Sequence, residues 1–241
     1  MSVIAMWSGP RNLSTAMMRS FGARADTSVW DEPFFAPFLA ATGKVHPGRE
    51  ETLLAHETDA ARVAARCVGV VPNNKTYYFQ KHMPHHMLAD FPLEWAKSAK
   101  HFFLIRDPAR VIQSYAKGRA AFDLDDLGYG AQRKLWDHLS DMTGTPPPVV
   151  DSQDILDNPR GVLSELCQRL DIAWDEAMLS WPAGQRETDG AWAPYWYKSV
   201  EKSTGFSPPP SDTPVVHGDY QAILAAAQAD YDVLYSRRLT V

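Results

Sequence analysis

Blocks of apolar residues alternate along the chain with segments in which apolar residues recur at helical spacing. The apolar blocks predict strands at residues 3–7, 27–30, 77–79, 100–105 and 149–150. Helical spacing predicts helices over residues 16–21, 48–68 and 127–142, after Asp107 and after Asn158, and over 223–234. Strands that alternate with helices imply a mostly parallel central sheet flanked by helices, so the predicted fold class is α/β.

A single domain over residues 1–241 is the expected organisation, because a chain of this length buries one sizeable core. Residues 181–214 are rich in aromatic residues, proline and glycine and lack a clear period. We therefore predict that this stretch is a long ordered loop or lid rather than a linker between domains.

Composition and charge narrow the class of partner and the compartment. The net charge is -5 and no basic run is present, which argues against nucleic acid and anionic membranes as general partners. The two cysteines show no pairing pattern, which favours a reducing compartment. No pattern of a signal peptide or of a membrane-spanning segment is recognisable, so a cytoplasmic location is expected.

The first strand runs directly into a polar loop that is suited to binding an anion. Gly9 and Pro10 break the apolar run, and Ser14 and Thr15 open the next helical segment. Backbone N–H groups at a helix N-terminus lack intrahelical partners, and the positive end of the helix dipole points the same way. Arg11 adds a guanidinium that can fork onto phosphate or sulfate oxygens. The alternative is an ordinary strand, turn and capped helix with an exposed arginine.

Two further strand ends carry residues suited to chemistry, and ligands of α/β sheets bind beside the carboxyl ends of the strands. Arg106 follows the fourth predicted strand, and Ser114 lies two turns into the next helix, so the pair can bracket one phosphate. His82 follows the third strand, where a histidine can accept a proton near neutral pH. The alternatives are a surface pair of Arg106 with Asp107 and a half-buried structural histidine.

Four motifs, in the order of the chain, resemble those of sulfotransferases that use 3′-phosphoadenosine 5′-phosphosulfate (PAPS). Residues 10–15, PRNLST, resemble the 5′-phosphosulfate loop PKSGTT or PRSGTT of that superfamily. Residues 106–115, RDPARVIQSY, are similar to its 3′-phosphate motif RDPxxxxxSxY. Residues 80–84, QKHMP, resemble the catalytic KTHLP of cytosolic members. Residues 152–172 are similar to a later pattern of the superfamily, YEDL…DP…L…FLG. The resemblance covers about the first 175 residues.

The resemblance implies a P-loop-like three-layer fold and transfer of a sulfuryl group from PAPS to a hydroxyl, or an amine, of a small molecule. By resemblance, Arg11 stabilises charge on the leaving group and His82 acts as the base. Glu32 is a second candidate for the base, because other branches of the superfamily use a glutamate. The residues expected to contact the donor are Arg11, Asn12, Leu13, Ser14, Thr15, Arg106, Ser114 and Lys202. No metal is implied, because the histidines lack ligand spacing and arginine supplies the positive charge.

The chain departs from the family pattern at three places. Leu13 stands where the family has glycine, so the loop is expected to be wider or to lose the close backbone approach to phosphate. Gln80 replaces the lysine of KTH, although Lys81 is adjacent. The C-terminal RKGxxGDWK stretch is not recognisable, and Lys202 is the candidate for that contact with the cofactor.

Aromatic residues of the late loop are expected to contact the acceptor. They cluster beside Pro194 without a strand or helical period, which suits a loop folded over a pocket. The candidate contacts are Trp192, Tyr195 and Trp196. The aromatic residues after the second strand are instead expected in the core: Phe34, Phe35 and Phe38. Asp31 and Glu32 are expected to favour a positively charged acceptor.

Two other functions stay open. An ATP-using P-loop kinase or NTPase shares the broad fold, but GxxxxGK[ST] is absent and no strand ends in a Walker-B-like aspartate paired with this loop. The second alternative is a non-catalytic nucleotide-binding module, because Leu13 and Gln80 depart from the motifs of the active family members. The sequence determines neither the acceptor nor the oligomeric state.

Overall fold

A parallel sheet of five strands, flanked by helices, organises the chain in the computed structural model, which describes residues 2–119, 121–208 and 212–241. The strand order in this sheet is β2-β3-β1-β4-β5. The strands are β1 (Ser2–Ser8), β2 (Thr27–Asp31), β3 (Tyr77–His82), β4 (Lys100–Ile105) and β5 (Val149–Asp151). The predicted α/β class is confirmed, and each predicted strand is found with bounds that differ by at most a few residues.

Eleven α-helices connect or follow these strands within the described residues. They are α1 (Ser14–Gly22), α2 (Phe35–Thr42), α3 (Arg49–Ala55), α4 (Ala60–Cys67), α5 (Pro108–Ala116), α6 (Leu124–Leu127), α7 (Tyr129–Thr143), α8 (Ser152–Asp157), α9 (Pro159–Arg169), α10 (Ala193–Trp196) and α11 (Gln221–Tyr235). Short 3₁₀ helices lie at Pro72–Asn74, Pro84–His86, Glu94–Ser98, Glu176–Leu179, Val200–Lys202 and Gly218–Tyr220.

Side-chain caps explain where two of the predicted helices begin. The Asp107 carboxylate accepts a hydrogen bond from the backbone N–H of Arg110, and proline occupies the first position of α5. Asn158 caps α9 in the same way by accepting from the backbone N–H of Gly161, and α9 also begins with proline. Both predicted helix starts are confirmed.

The prediction of one continuous helix over 48–68 is wrong in its continuity, whereas the helix predicted over 127–142 is found as α7, which begins two residues later than predicted. The backbone is extended at His56, and Asp59 caps a new helix, which divides the first segment into α3 and α4. Gly128 has a left-handed φ of 74° and separates α6 from α7. Helix α2 was not predicted, because its residues are apolar on every side and carry no amphipathic period.

Two compact units make up the described part of the chain. The first unit comprises the described residues of 2–6, 15–100 and 175–206, and the second those of 7–14, 101–174 and 207–241. The organisation as a single domain stays a prediction. The predicted loop at 181–214 contains α10 and a 3₁₀ helix in its described part, and its residues 209–211 lie outside the described residues.

Each unit has a core of aromatic and aliphatic side chains. In the first unit Phe21 stacks on Phe79 with ring centroids 4.3 Å apart. In the second unit Trp7 stacks on Phe103, and its indole N–H donates to His101 Nδ1 at 3.1 Å. The aromatic residues after β2 that were predicted to be core are buried: Phe34, Phe35 and Phe38. No helix in the described part of the chain has both the length and the apolarity needed to cross a membrane.

Candidate active site

The loop between β1 and α1 has an unusual backbone conformation. Arg11 and Leu13 have φ angles of 61° and 73°, in the left-handed region that favours glycine. Turns with left-handed residues can direct successive backbone N–H groups to one side and bind anions there. Leu13 therefore adopts the kind of conformation that the family's glycine supports, although it carries a side chain.

The structure brings together the three residues that were predicted to grip phosphate groups. Arg11 Nε donates a hydrogen bond to Ser114 Oγ at 3.0 Å. Arg106 Nη1 donates to the backbone carbonyl of Arg11 at 2.6 Å, and the hydroxyl of Tyr129 donates to the carbonyl of Arg106 at 2.8 Å. Both guanidiniums are therefore held beside the same loop.

Neither of these guanidiniums pairs with a carboxylate among the described residues. Both are half-buried, and burial lowers the pKa of Arg11 and of Arg106 because the charged form loses solvation. Half-buried charges without counter-ions are costly, and an anionic ligand would compensate them. Arg106 also lines a cleft of about 470 Å³, within the size range of small-molecule sites.

The other residues predicted to contact the donor lie in varied environments. Asn12 is buried, and its side-chain amide donates to the carbonyl of Leu104 at 3.3 Å, so it tethers the loop to β4. Ser14 is the buried first residue of α1, and Thr15 is half-buried. Lys202 is exposed at the end of a 3₁₀ helix of the first unit, and its contact with the cofactor stays a prediction.

A buried ionic cluster lies at the ends of β2 and β3. The strand register places Asp31 directly opposite Lys81. Lys81 Nζ donates to Asp31 Oδ1 at 2.7 Å, to Glu32 Oε1 at 2.6 Å and to the hydroxyl oxygen of Tyr197 at 2.7 Å. Lys81 is only 1% exposed, so the ammonium group has exchanged water for three oxygen acceptors.

Both carboxylate oxygens of Asp31 accept hydrogen bonds. Its Oδ2 accepts the hydroxyl of Tyr197 at 2.6 Å and the backbone N–H of Gly190 at 3.1 Å, while Oδ1 accepts from Lys81. The indole N–H of Trp192 donates to the Tyr197 oxygen at 3.1 Å. Asp31 therefore positions Lys81 and the segment that carries Gly190 and Tyr197, and its contact with an acceptor stays a prediction.

Glu32 differs from Asp31 in having one oxygen without a close partner. Its Oε1 accepts from Lys81, whereas Oε2 lies 3.9 Å from His86 Nδ1. Its φ of 40° lies in the left-handed region, which is a strained conformation for a residue that carries a Cβ. Burial raises the pKa of Glu32, which makes the carboxylate a stronger base. Burial alone would lower the pKa of Lys81, but Asp31 and Glu32 raise it, so the ammonium stays charged.

His82, the predicted base, lies beside two aromatic rings. Its ring centroid is 5.2 Å from that of Trp95 and 5.9 Å from that of Phe34. His82 Nε2 and Gln80 Oε1 are 3.1 Å apart, and the amide of Gln80 donates to the carbonyl of Cys67. The role of His82 as the base stays a prediction.

The segment of residues 189–197 is joined to the rest of the first unit by buried polar contacts. Arg19 of α1 forms a bidentate ion pair with Asp189 at 2.5 and 2.7 Å, and both side chains are buried. Tyr197, on the same segment, reaches Lys81 at the end of β3. These contacts hold the segment against the ends of β2 and β3, and its role as a lid stays a prediction.

The aromatic residues predicted to contact the acceptor differ in exposure. Trp192 is buried, and its ring packs edge-on against Phe35 with centroids 5.0 Å apart. Tyr195 is exposed, and its hydroxyl donates to Glu51 at 3.3 Å. Trp196 is half-buried beside His46 at 5.4 Å. Their roles toward an acceptor stay predictions.

Sequence reasoning assigned no role to three residues of the cluster: Lys81, Tyr197 and His86. The signal that could have identified Lys81 was present, because an acidic pair ends one predicted strand and a lysine ends the next. Tyr197 and His86 gave no such signal, since their contacts join segments far apart in the chain. No group of three or more His, Cys, Asp or Glu suited to a metal ion occurs in the described part, and the absence of a metal stays a prediction.

Comparison with known proteins identifies the family of the chain. Residues 1–238 match the family described as sulfotransferase domain. The chain belongs to the sulfotransferase domain family. The sulfotransferase domain resembles two Arabidopsis thaliana proteins, named branched-chain-amino-acid aminotransferase-like protein 1 and 2. It is 40% identical to the first over 97% of this chain and 39% identical to the second over 91%. It spans 42% and 39% of their respective lengths.

Solved structures of sulfotransferases share the fold of this domain. The sulfotransferase domain of the Synechococcus PCC 7002 olefin synthase matches with a TM-score of 0.54 and 15% identity, over 100% of this chain and 96% of that one. The sulfotransferase from Alicyclobacillus acidocaldarius matches with a TM-score of 0.55 and 14% identity, over 99% and 97% of the two chains. These likenesses confirm the predicted sulfotransferase fold.

The left-handed backbone at Leu13 predicts that a glycine substitution at this position is more stable than an alanine substitution, which is the reverse of the usual order. Glycine is usually less stable than alanine within ordered structure, but a φ of 73° is strained for every residue that carries a Cβ. We expect Leu13→Gly to be more stable than Leu13→Ala by about 1 kcal/mol, measured by urea unfolding. Both variants lose the leucine side chain beyond Cβ and differ only in that atom, so a more stable alanine variant would contradict the strained loop.

Proposed function

We propose that this domain transfers the sulfuryl group of PAPS to a hydroxyl or amine of a small molecule. The observation that carries the proposal is the pair of half-buried guanidiniums, Arg11 and Arg106, held beside the β1–α1 loop and Ser114 without a carboxylate partner. Family membership supports the transferase activity, and the geometry of this site supports a donor that carries phosphate groups.

The proposed donor contacts divide between the two phosphate groups. Arg11 and the backbone N–H groups at the start of α1 are assigned to the 5′-phosphosulfate, where negative charge develops on the leaving group. Arg106 and Ser114 are assigned to the 3′-phosphate, which distinguishes PAPS from ATP. Their positions beside the same loop fit a ligand with two anionic groups.

We assign the acceptor side of the reaction to the cluster around Lys81. Glu32 is the preferred base, because burial raises its pKa and its Oε2 has no close partner, whereas His82 lies beside Trp95 and Phe34. In the proposed step the acceptor oxygen or nitrogen forms a bond to sulfur, and the bond from sulfur to the bridging oxygen breaks. Glu32 takes the acceptor's proton, and adenosine 3′,5′-bisphosphate leaves with the bridging oxygen.

Binding of the desulfated product tests the donor assignment without an acceptor. We expect adenosine 3′,5′-bisphosphate to bind, with AMP and ATP binding much more weakly, in isothermal titration calorimetry. Arg106→Ala is expected to lower the affinity for the bisphosphate by about 1.5–3 kcal/mol, because it removes a charge-assisted hydrogen bond to phosphate.

The matched control for loss of a positive charge is Arg169→Ala. Arg169 is exposed on α9 and pairs with Glu165 at 2.7 Å, so its removal changes the net charge equally and leaves the loop intact. The control is expected to bind the bisphosphate like the wild type. Equal affinity of the wild type for AMP and for the bisphosphate would refute the assignment of Arg106 and Ser114.

A further inference from the structure

Helix α7 begins with two buried polar side chains to which the proposed function assigns no role. Tyr129 is only 2% exposed and Gln132 is fully buried, and both lie in the first turn of the helix. The buried side chains further along α7 include Leu135 and Leu139, which are apolar. A buried phenol and a buried amide are costly unless they form hydrogen bonds, so their partners indicate what they do.

Both side chains donate to backbone carbonyls where β1 and β4 end. The amide of Gln132 donates to the carbonyl of Trp7 at 3.2 Å and to that of Leu104 at 2.9 Å. The hydroxyl of Tyr129 donates to the carbonyl of Arg106 at 2.8 Å, directly after β4. The first turn of α7 therefore holds the backbone of two neighbouring strands at the points where they lead into the candidate site.

The loop between β1 and α1 is joined to the same point. The side-chain amide of Asn12 donates to the carbonyl of Leu104 at 3.3 Å, so this one oxygen accepts from the loop and from Gln132. At Gly9 the loop backbone also packs closely against the segment before α7. A Cβ added to Gly9 would lie 2.9 Å from the carbonyl oxygen of Leu127, which is closer than real Cβ atoms approach. The position of the loop therefore depends on the start of α7.

The hydrogen bonding of Gln132 suits placement of the backbone more than stability of the fold. Its amide nitrogen donates twice, but its Oε1 and the Oδ1 of Asn12 are buried and have no hydrogen-bond partner among the described residues. A buried acceptor without a partner lowers stability. An apolar side chain of the same length would avoid that loss, so the two carbonyls that Gln132 holds account for an amide at this position.

We propose that Gln132 and Tyr129 are positioning residues for the donor. Gln132 fixes the loop that carries Arg11, and Tyr129 fixes the peptide group of Arg106. The inference rests on the proposed function and adds two residues that do not themselves touch the ligand. Binding groups need to be held within about 0.5 Å of the productive geometry, so a small shift of either backbone weakens the contact of its guanidinium with phosphate.

Two monophosphates separate the two positioning roles. Adenosine 5′-monophosphate carries the phosphate assigned to Arg11, and adenosine 3′-monophosphate carries the one assigned to Arg106. Gln132→Met keeps the length of the side chain, and we expect it to lower the affinity for the 5′-monophosphate roughly fivefold and that for the 3′-monophosphate much less. Tyr129→Phe is expected to have the reverse preference. Both variants should bind adenosine 3′,5′-bisphosphate more weakly, and all affinities are measured by calorimetry with the bisphosphate as competitor.

Trp136→Phe is the matched control for loss of a buried donor from the same helix. Trp136 is 4% exposed, and its indole N–H donates to the carbonyl of Pro147 at 3.0 Å. This variant is expected to bind all three nucleotides like the wild type, whatever stability it loses. Thermal unfolding of each variant gives the temperature below which the affinities of folded protein are compared.

A double-mutant cycle separates positioning from packing. In an Arg106→Ala background, Tyr129→Phe should no longer change the affinity for the bisphosphate, because the group that it positions is gone. An undiminished loss in that background, equal losses for the two monophosphates, or wild-type affinities in Gln132→Met and Tyr129→Phe would each overturn the inference. If one variant does not fold, the other decides, and loss of the fold in both would assign the residues to stability. Failure of the wild type to bind the bisphosphate would instead refute the proposed donor.

Discussion

Replacement of Glu32 with glutamine is expected to lower the turnover of PAPS roughly a hundredfold or more, because it removes the group that we propose as the base for the acceptor's proton. Glutamine has nearly the same shape and can still accept from Lys81, so the affinity for adenosine 3′,5′-bisphosphate should be unchanged. Turnover is measured as release of the bisphosphate from PAPS in the presence of an acceptor, and affinity by calorimetry.

The pH dependence of kcat/KM is a second test of Glu32 as the base. A base works only when deprotonated, and burial raises the pKa of Glu32, so kcat/KM should fall as the pH decreases through that raised value. The charged and titratable groups that contact or face Glu32 are Asp31, Lys81, His86 and Tyr197. In the glutamine variant the acidic limb of the residual activity should disappear.

His82→Ala is the comparison that separates the two candidates for the base. If Glu32 is the base, loss of the imidazole should reduce turnover far less than Glu32→Gln does, provided that thermal unfolding shows an intact fold. An inactive His82→Ala variant with native bisphosphate affinity, beside an active Glu32→Gln variant, would return the role to His82, as the family resemblance implies.

Replacement of Lys81 with methionine is expected to lower the free energy of unfolding by about 3–5 kcal/mol, the cost of leaving buried charges without their partner. Asp31 and Glu32 would face each other without the ammonium that lies 2.7 and 2.6 Å from them. Methionine fills a similar volume, so the loss reports on charge and hydrogen bonding more than on packing. Urea unfolding at neutral pH measures the change.

Lys97→Met is the matched control for this substitution. Lys97 is 57% exposed and pairs with Glu94 on the same 3₁₀ helix, so solvent screens the interaction and the expected change lies within about 0.5 kcal/mol. Adding Asp31→Asn to Lys81→Met should recover part of the lost stability, because it removes one of the two uncompensated carboxylates. A Lys81→Met variant as stable as the Lys97→Met variant would mean that the buried cluster is not charged.

Local signals in the chain identified the arginines and the serine that the structure brings together beside the β1–α1 loop, and their binding of phosphate stays a proposal. Arg11 follows a strand and precedes a helix, and Arg106 and Ser114 flank a capped helix start, so short-range rules place each one. The structure joins them as expected, with Arg11 Nε 3.0 Å from Ser114 Oγ. The left-handed φ at Leu13 escaped prediction, because leucine itself does not favour that conformation.

The sequence by itself determined the α/β class, the positions of the strands and several helix starts, because hydrophobic periodicity and capping act over a few residues. Only the tertiary structure decided the environment of Glu32. This environment depends on the strand register that places Asp31 opposite Lys81. It also depends on Tyr197, whose hydroxyl oxygen accepts a hydrogen bond from Lys81 although the two residues are 116 positions apart. Burial raises the pKa of Glu32 and leaves Nδ1 of His86 without a hydrogen-bond partner among the described residues, and burial is a property of packed segments that no local pattern encodes.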